Sequence, residues 1–255
     1  MAFSVPAEAY DRFMGRYSAQ LAAQMADLAG AQPGQRVIDV GSGPGALTTE
    51  LVARVGADNV AAVDPSESFV AAVALRLPGV DVRRATAEDL PFENNTFDVA
   101  LAQLVVHFMD DPVRGLSEMA RVTRPGGVVA ACVWDHAGER TPLAPFWRAA
   151  RELDPQLEDE SAYAGGREGH LRELFTQAGL RGIEETVLPV HVEHASFAEW
   201  WEPFTFGVGP AGVYLTGLAT EQQAQLRARA CAQLPEPLTW ETRAWAVRGI
   251  AEGED

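Results

Sequence analysis

The chain has no lysine. All 20 of its basic residues are arginine, set against 36 aspartates and glutamates, for a formal charge of -16. Schiff-base catalysis on a lysine amine and the phosphate grip of a P-loop are thereby excluded. A surface that tracks nucleic-acid phosphates needs a basic stripe, which so acidic a composition does not supply, and no nucleic-acid partner is expected. Cysteine is scarce too: Cys132 lies in an apolar run and Cys231 in a polar helical stretch, without CxxC spacing, and both are expected as free thiols. Five scattered histidines form no HExxH pair, so no metal is expected. No apolar run reaches the length of a membrane span, and Met1 to Pro6 is too short and uncharged for a signal peptide. The expectation is a soluble cytoplasmic protein with no membrane partner.

What is present is a core. At 255 residues with 47% hydrophobic content, the chain can fill one large α/β domain. Residues 7–29 read as a helix bent at Gly15 and stopped at Gly30. Short apolar strands are then expected at 36–40, 59–63, 80–84, 96–103 and 127–134, with helices at 46–55, 67–76 and 111–122, the last strand following a turn at Arg124-Pro125-Gly126. Such alternation means parallel strands joined by right-handed crossovers and covered on both faces. After Trp134 the rhythm loosens. A short helix at 146–153, the acidic stretch 154–160 and the Gly165-Gly166 pair precede a helix at 171–178 and a strand at 183–192. A helix-rich segment at 196–234, a strand at 242–250 and a frayed tail at 251–255 complete the chain.

Asp39-Val40-Gly41-Ser42-Gly43-Pro44-Gly45 stands at a strand's carboxyl end and opens a helix. Glycines there let the backbone come close to a ligand, and the helix amino end favours negative charge. Asp64, at the end of the next strand, is placed to accept both hydroxyls of a ribose. A bare turn, with Asp64 merely preceding a helix capped by Ser66, is the bland alternative. Gly41, Gly43 and Ala46 also satisfy the dinucleotide pattern, which keeps an NAD(P)-dependent oxidoreductase open. Its Tyr-x-x-x-Lys set cannot occur in a chain without lysine.

The glycines crowd at 41, 43 and 45 with an acid two residues earlier, and this resembles the first motif of class I S-adenosylmethionine-dependent methyltransferases. The resemblance continues through Val63-Asp64-Pro65-Ser66, Ala87-Glu88-Asp89-Leu90-Pro91-Phe92, Phe97-Asp98-Val99 and Arg121-Val122-Thr123-Arg124-Pro125-Gly126-Gly127. The subgroup it looks like is methyltransferase type 11, with its ubiquinone- and menaquinone-biosynthesis-like members. The resemblance implies a Rossmann-like, doubly wound α/β sheet of seven strands in the order 3-2-1-4-5-7-6, the last antiparallel. Residues 1–255 then form a single domain, with 1–30 as a helical cap and 136–168 and 196–238 as insertions capping the substrate. S-adenosyl-L-methionine is the implied cofactor and S-adenosyl-L-homocysteine its product. Tyr10 and Arg16 would steady the methionine end, Asp39 would brace the glycine turn of Gly41, Ser42, Gly43 and Gly45, and Asp64, Pro65 and Ser66 would serve the ribose. On the adenine side, Thr86 stands where relatives often carry Asp. The contact is open between Thr86 and Glu88, with the Ala87 amide serving either way, and Gln103 follows the fourth strand.

Methyl transfer from a sulfonium needs alignment in a dry pocket, and a base only for a protic acceptor. His107 is the first candidate base, although a histidine in so apolar a run is also read as a packed residue; His136 and His194 are weaker candidates. Trp134, His136, Trp200, Trp201 and Phe204 are the candidate acceptor contacts, and the aromatic set describes a buried helix face equally well. The expected function is methylation of a small, apolar or aromatic molecule by in-line displacement, in a monomer or homodimer. A non-catalytic cofactor-binding relative remains the third reading.

Overall fold

The protein is described by a computed structural model over residues 7–234 and 238–253. The expectation for the first six residues lies outside these, as do the outer bounds of the single-domain and cap readings and the last two residues of the tail. The opening helix comes in three pieces: α1 (Ala7–Tyr10), a π-helical turn at Asp11–Gly15, and α2 (Arg16–Ala29). A π turn is wider than the α-helix that flanks it, which is the physical form of the bend expected at Gly15. α2 stops where Gly30 turns left-handed at φ 68°.

There follow β1 (Val37–Val40), α3 (Ala46–Val55), β2 (Val60–Asp64), α4 (Glu67–Arg76), β3 (Asp81–Arg84), β4 (Phe97–Gln103), α5 (Pro112–Val122) and β5 (Thr123–Trp134). The second half contains α6 (Ala144–Leu153), α7 (His170–Gln177), β6 (Arg181–His194), α8 (Phe197–Trp201), α9 (Gly209–Gly217), α10 (Thr220–Gln233) and β7 (Leu238–Ile250). The seven strands make one sheet in the order β3-β2-β1-β4-β5-β7-β6, with β7 antiparallel to both its neighbours. This is the Rossmann-like order expected from the sequence.

Period-two alternation sends the strand side chains into two apolar layers. Val37, Val99, Leu101, Ala130 and Cys132 face α2, α3, α6 and α8 to α10. Ile38, Val40, Ala100, Ala102, Ala131 and Val133 face α5 and α7. Because both faces are covered, every residue of β1 and β2 is buried. Cys132 is buried and Cys231 exposed, and both are free thiols as expected.

Several boundaries differ from the sequence reading: β7 starts four residues earlier than expected, β6 extends two residues further at each end, and two further differences have a clear physical reason. β5 begins at Thr123, not after the Arg124-Pro125-Gly126 turn. Phe97 already pairs with Thr123, the next pair is Val99 with Val128, and the turn is absorbed as an irregularity within the ladder. The tail does not fray at its start: Ala251 is buried, its amide donates to Gly127 O (2.9 Å), and its carbonyl accepts from the Gly126 amide (2.9 Å).

β6 lies at the sheet edge, and α2 covers it. The Gln20 carboxamide donates to His191 O (2.9 Å) and accepts from the His191 amide (3.1 Å), while Gln24 donates to Pro189 O (2.9 Å). These side chains take up backbone groups that would otherwise invite another strand. A stacked pair, Phe146 on Phe204 (4.7 Å, 8°), and the edge contact of Phe13 with Phe204 (5.5 Å) tie α6 and the turn after α8 to the opening helix.

Asp111 sets the start of α5: its carboxylate accepts from the Arg114 amide (3.0 Å), and Pro112 takes the first position. Asp111→Ala is expected to lower stability by about 1 kcal/mol in urea denaturation. A midpoint identical to that of the parent would contradict this cap.

Candidate active site

The carboxyl ends of β1, β2 and β4 converge, as ligand-binding ends of an open α/β sheet do. At the end of β1 the amides of Gly41 and Ser42 both donate to Val63 O (2.8 and 2.9 Å), which binds the glycine turn to β2. Gly41 holds φ 74°, and a Cβ there would stand 2.5 Å from both Val105 methyls, so only glycine fits. Asp64 is buried at the end of β2. One of its oxygens accepts from the Gly43 amide (2.9 Å), the other from the Ser66 amide (2.8 Å). Burial raises its pKa, and the two amides pull it back. Asp39 is buried behind the turn with Thr48 Oγ1 donating to it (2.6 Å), and burial pushes its carboxyl up to about 7.

In front of the turn lies a cavity of about 240 Å³. Tyr10, Gly41, Gly43, Asp64, Pro65, Thr86, Ala87, Glu88 and Gln103 line it, so nine of the expected cofactor residues meet there. Ser42 and Asp39 line a smaller adjoining hollow. Gly45 and Ser66 act one step back: Gly45 opens α3 at φ 96°, and Ser66 offers its amide to Asp64 while its hydroxyl pairs with Ser68 rather than capping α4. Of the two adenine-side alternatives, Glu88 has an oxygen engaged by the Asp110 amide (2.9 Å). Gln103 donates to Ser18 O (3.0 Å), and its buried Oε1 finds no partner among the described residues. Phe69, Phe108 and Met109 also line the cavity and were missed in the sequence. Phe69, five residues beyond Asp64 and edge-on to Tyr10 (5.4 Å), carried the only usable signal, its place in the helix after the acid.

Tyr10, Leu104 and Phe108 are shared with a second chamber, of about 30 Å³, that also meets His107, Trp134, His136 and Glu160. At this partition Leu104 holds φ 60°, a left-handed conformation that a branched side chain rarely adopts and that the Leu104 amide helps fix by donating to Cys132 O (2.9 Å). The His107 and His136 rings stand 5.4 Å apart. Burial, reinforced by His136, drives the pKa of His107 well below its ordinary value; burial lowers His136 to about 4 against the pull of Asp135 and Asp159. Both imidazoles are neutral at pH 7.

Arg16 is a correction. It lines neither cavity: its guanidinium donates to Glu193 O (3.1 Å), His194 Nδ1 (3.1 Å) and Glu199 (2.7 Å). Because arginine can only donate, His194 Nδ1 accepts, and Nε2–H donates to Tyr17 Oη (2.7 Å). His194 is thereby occupied in fastening α2 to β6 and stands apart from both cavities. Trp200, Trp201 and Phe204 are also absent from the walls, because the apolar face of α8 turns toward the core. Trp200 donates to Pro142 O (3.3 Å), and Phe204 backs Phe13, which does line the second chamber.

A protein-family model described as a methyltransferase domain matches residues 38–131. Over these residues the chain is similar to that family. An uncharacterized methyltransferase of Mycobacterium tuberculosis is 42% identical over 106 residues, covering 42% of this chain and 42% of the relative. A demethylmenaquinone methyltransferase of Renibacterium salmoninarum is 37% identical over 110 residues, covering 43% and 46%. The chain thus spans less than half the length of these relatives. The fold extends further: the YcgJ protein of Bacillus subtilis superposes with a TM-score of 0.59 at 19% identity, over 93% of this chain and 99% of the other. The matched segment holds the residues from Asp39 to Gln103 and His107, while Trp134, His136 and Glu160 reach the second chamber from beyond it.

The raised Asp39 carboxyl has a consequence for stability. The folded chain keeps this proton up to about pH 7, whereas an unfolded chain releases it near the ordinary 3.8, so its contribution to stability falls as pH rises through that window. Urea denaturation at pH 5 and pH 8 is expected to show a smaller pH dependence for Asp39→Asn than for the parent. Equal pH dependence would show that Asp39 titrates normally.

Proposed function

We propose that the protein is an S-adenosylmethionine-dependent methyltransferase whose acceptor is small and apolar or aromatic. The observation that carries this reading is the Asp64 carboxylate, buried and fixed by the Gly43 and Ser66 amides at the wall of the larger cavity. The donor set suits the cofactor: a carboxylate for ribose hydroxyls, a glycine turn that allows close approach, and the unpartnered Gln103 Oε1 for an ammonium group. Tyr10 and Gln103 hold the methionine end, Asp64 and Pro65 the ribose, and Thr86, Ala87 and Glu88 the adenine. Once bound, the sulfonium supplies the methyl group.

The protein's own part is to align and to exclude water. Residues 7–30 and the insertions at 136–168 and 196–234 cover the site as a cap, joined through Phe13, Phe146 and Phe204. The acceptor's reacting end reaches the second chamber beside Phe13, Met14, Trp134 and Leu143, whose apolar surface favours an apolar or aromatic molecule. The name of the demethylmenaquinone methyltransferase relative supports the same class of acceptor. The charge of -16 argues against an RNA or DNA substrate.

Calorimetry is expected to show binding of S-adenosylmethionine and S-adenosylhomocysteine and none of NAD. Binding of NAD alone would overturn the assignment. Asp64→Ala is expected to weaken S-adenosylhomocysteine at least tenfold, since hydrogen bonds to a charged group contribute roughly 1.5–3 kcal/mol each. Unaltered affinity would remove Asp64 from the ribose contact.

A further inference from the structure

Glu160 has no part in the cofactor site, yet it is a buried carboxyl, 3% exposed, at the wall of the second chamber. It lies in a short 3₁₀ turn at Glu160–Ala162, at the end of the acidic stretch 154–160. Trp147 Nε1 donates to its Oε2 (2.6 Å), which fixes the carboxyl in place. Among the described residues no arginine pairs with it: Arg151, which lines an adjoining hollow with it, is taken by Asp159 and Glu139. Keeping a carboxyl buried without a cation costs stability, and stability therefore does not account for its presence.

Two polar atoms at the wall of the same chamber lack partners. His107 Nδ1 and His136 Nε2 are buried and find no hydrogen-bond partner among the described residues. The two rings and Glu160 come from three separate segments, after β4, after β5 and after α6, and meet at one chamber. Buried polar groups are nearly always satisfied, so two unpartnered ring nitrogens and a buried carboxyl without a cation, all at the wall of one chamber, call for a polar occupant. The space of about 30 Å³ admits a functional group of a few atoms, while Phe13, Met14, Phe108 and Leu143 present apolar surface around it. An occupant polar at one end and apolar beyond it satisfies both.

We propose that Glu160, His107 and His136 form a subsite that recognises a hydroxyl group carried on an aromatic frame, a phenol in chemical class. Glu160 accepts the hydroxyl hydrogen, and the neutral imidazoles supply partners for the oxygen. That this phenol is the methyl acceptor rests on the methyltransferase reading above; the recognition itself does not. The charged and titratable groups around Glu160 are Asp159 beside it, His107 and His136 at the chamber wall, Arg151 and Glu139 across from Asp159, and Tyr163 just beyond the 3₁₀ turn. Burial, with Asp159 adding to it against the Trp147 bond, pushes Glu160 up to about 7. The carboxylate therefore forms as pH rises through 7, and a phenol keeps its own proton to about pH 10.

Binding of phenol and of anisole, which has the same ring without the hydroxyl hydrogen, separates the outcomes. Both are titrated by ligand-observed NMR into the protein with and without saturating S-adenosylhomocysteine. At pH 8 phenol is expected to bind at least tenfold more tightly than anisole, and lowering the pH to 6 to erode that preference threefold or more. Glu160→Gln is expected to remove most of the preference, with its circular dichroism checked against the parent. Equal affinity for the two probes, or a preference unchanged by pH and by the substitution, overturns the subsite. If the variant does not fold, the pH series on the parent decides alone. A phenol preference without any S-adenosylhomocysteine binding would leave the subsite standing and defeat the methyltransferase reading; the opposite pair of results would do the reverse.

Discussion

The hydrogen bond from the Gly43 amide to the Asp64 carboxylate joins two turns that the sheet alone would leave separate. Parallel pairing sets Val40 beside Val63, so both turns leave the sheet at the same height, and the Val63 carbonyl then receives the amides of Gly41 and Ser42. Glycine takes the left-handed conformations at Gly41, Gly43 and Gly45 without steric cost, and the engaged amides then fix one of the several shapes open to the turn. The same contact has an electrostatic side. Asp64 adds to the burial that raises Asp39, so two carboxyl groups share one low-dielectric corner with no arginine bonded to either. Such a corner favours a cationic ligand over an anionic one. A sulfonium or ammonium group lowers its energy, whereas the pyrophosphate of a dinucleotide raises it.

The first half of the fold was legible because each element there announces itself twice, by its period and by its punctuation. The helices at 46–55 and 67–76 have the bounds read from the sequence, since glycine or serine precedes them and the apolar spacing ends cleanly. Pro125 and Gly126 misled because turn residues also occur in strand irregularities, and only the pairing of Phe97 with Thr123 distinguishes the two. In the second half the limit was distance along the chain. Arg16 looked like a cofactor ligand because its partners stand 177 and more residues away. The spacing of Trp200, Trp201 and Phe204 fitted a pocket wall and a core face alike, and Phe146 decided for the core. Glu160 gave no signal at all: an acid in an acidic loop reads as solvated until the fold buries it.

The two cavities differ in how they are built. The larger draws its walls from loops at the ends of neighbouring strands, whose positions follow from the sheet. The smaller depends on the packing of α6, the 3₁₀ turn at Glu160 and the opening helix, and so on the aromatic contacts among Phe13, Phe146 and Phe204. Loops after strands tolerate variation while the sheet persists. A change in the aromatic cluster would alter the smaller chamber first.

β6 touches the sheet through β7 alone, from Arg181 with Ile250 to His194 with Leu238. During synthesis, residues 181–194 leave the ribosome well before 238–250 and have no strand to join in the interval. Arg16, Tyr17, Gln20 and Gln24 of α2 all hold groups on β6, so the earliest helix of the chain waits for the latest strand before it can settle. Docking of α2 on β6 is thus a late event in the life of each molecule, and a nascent chain holds the glycine turn long before that seam can form.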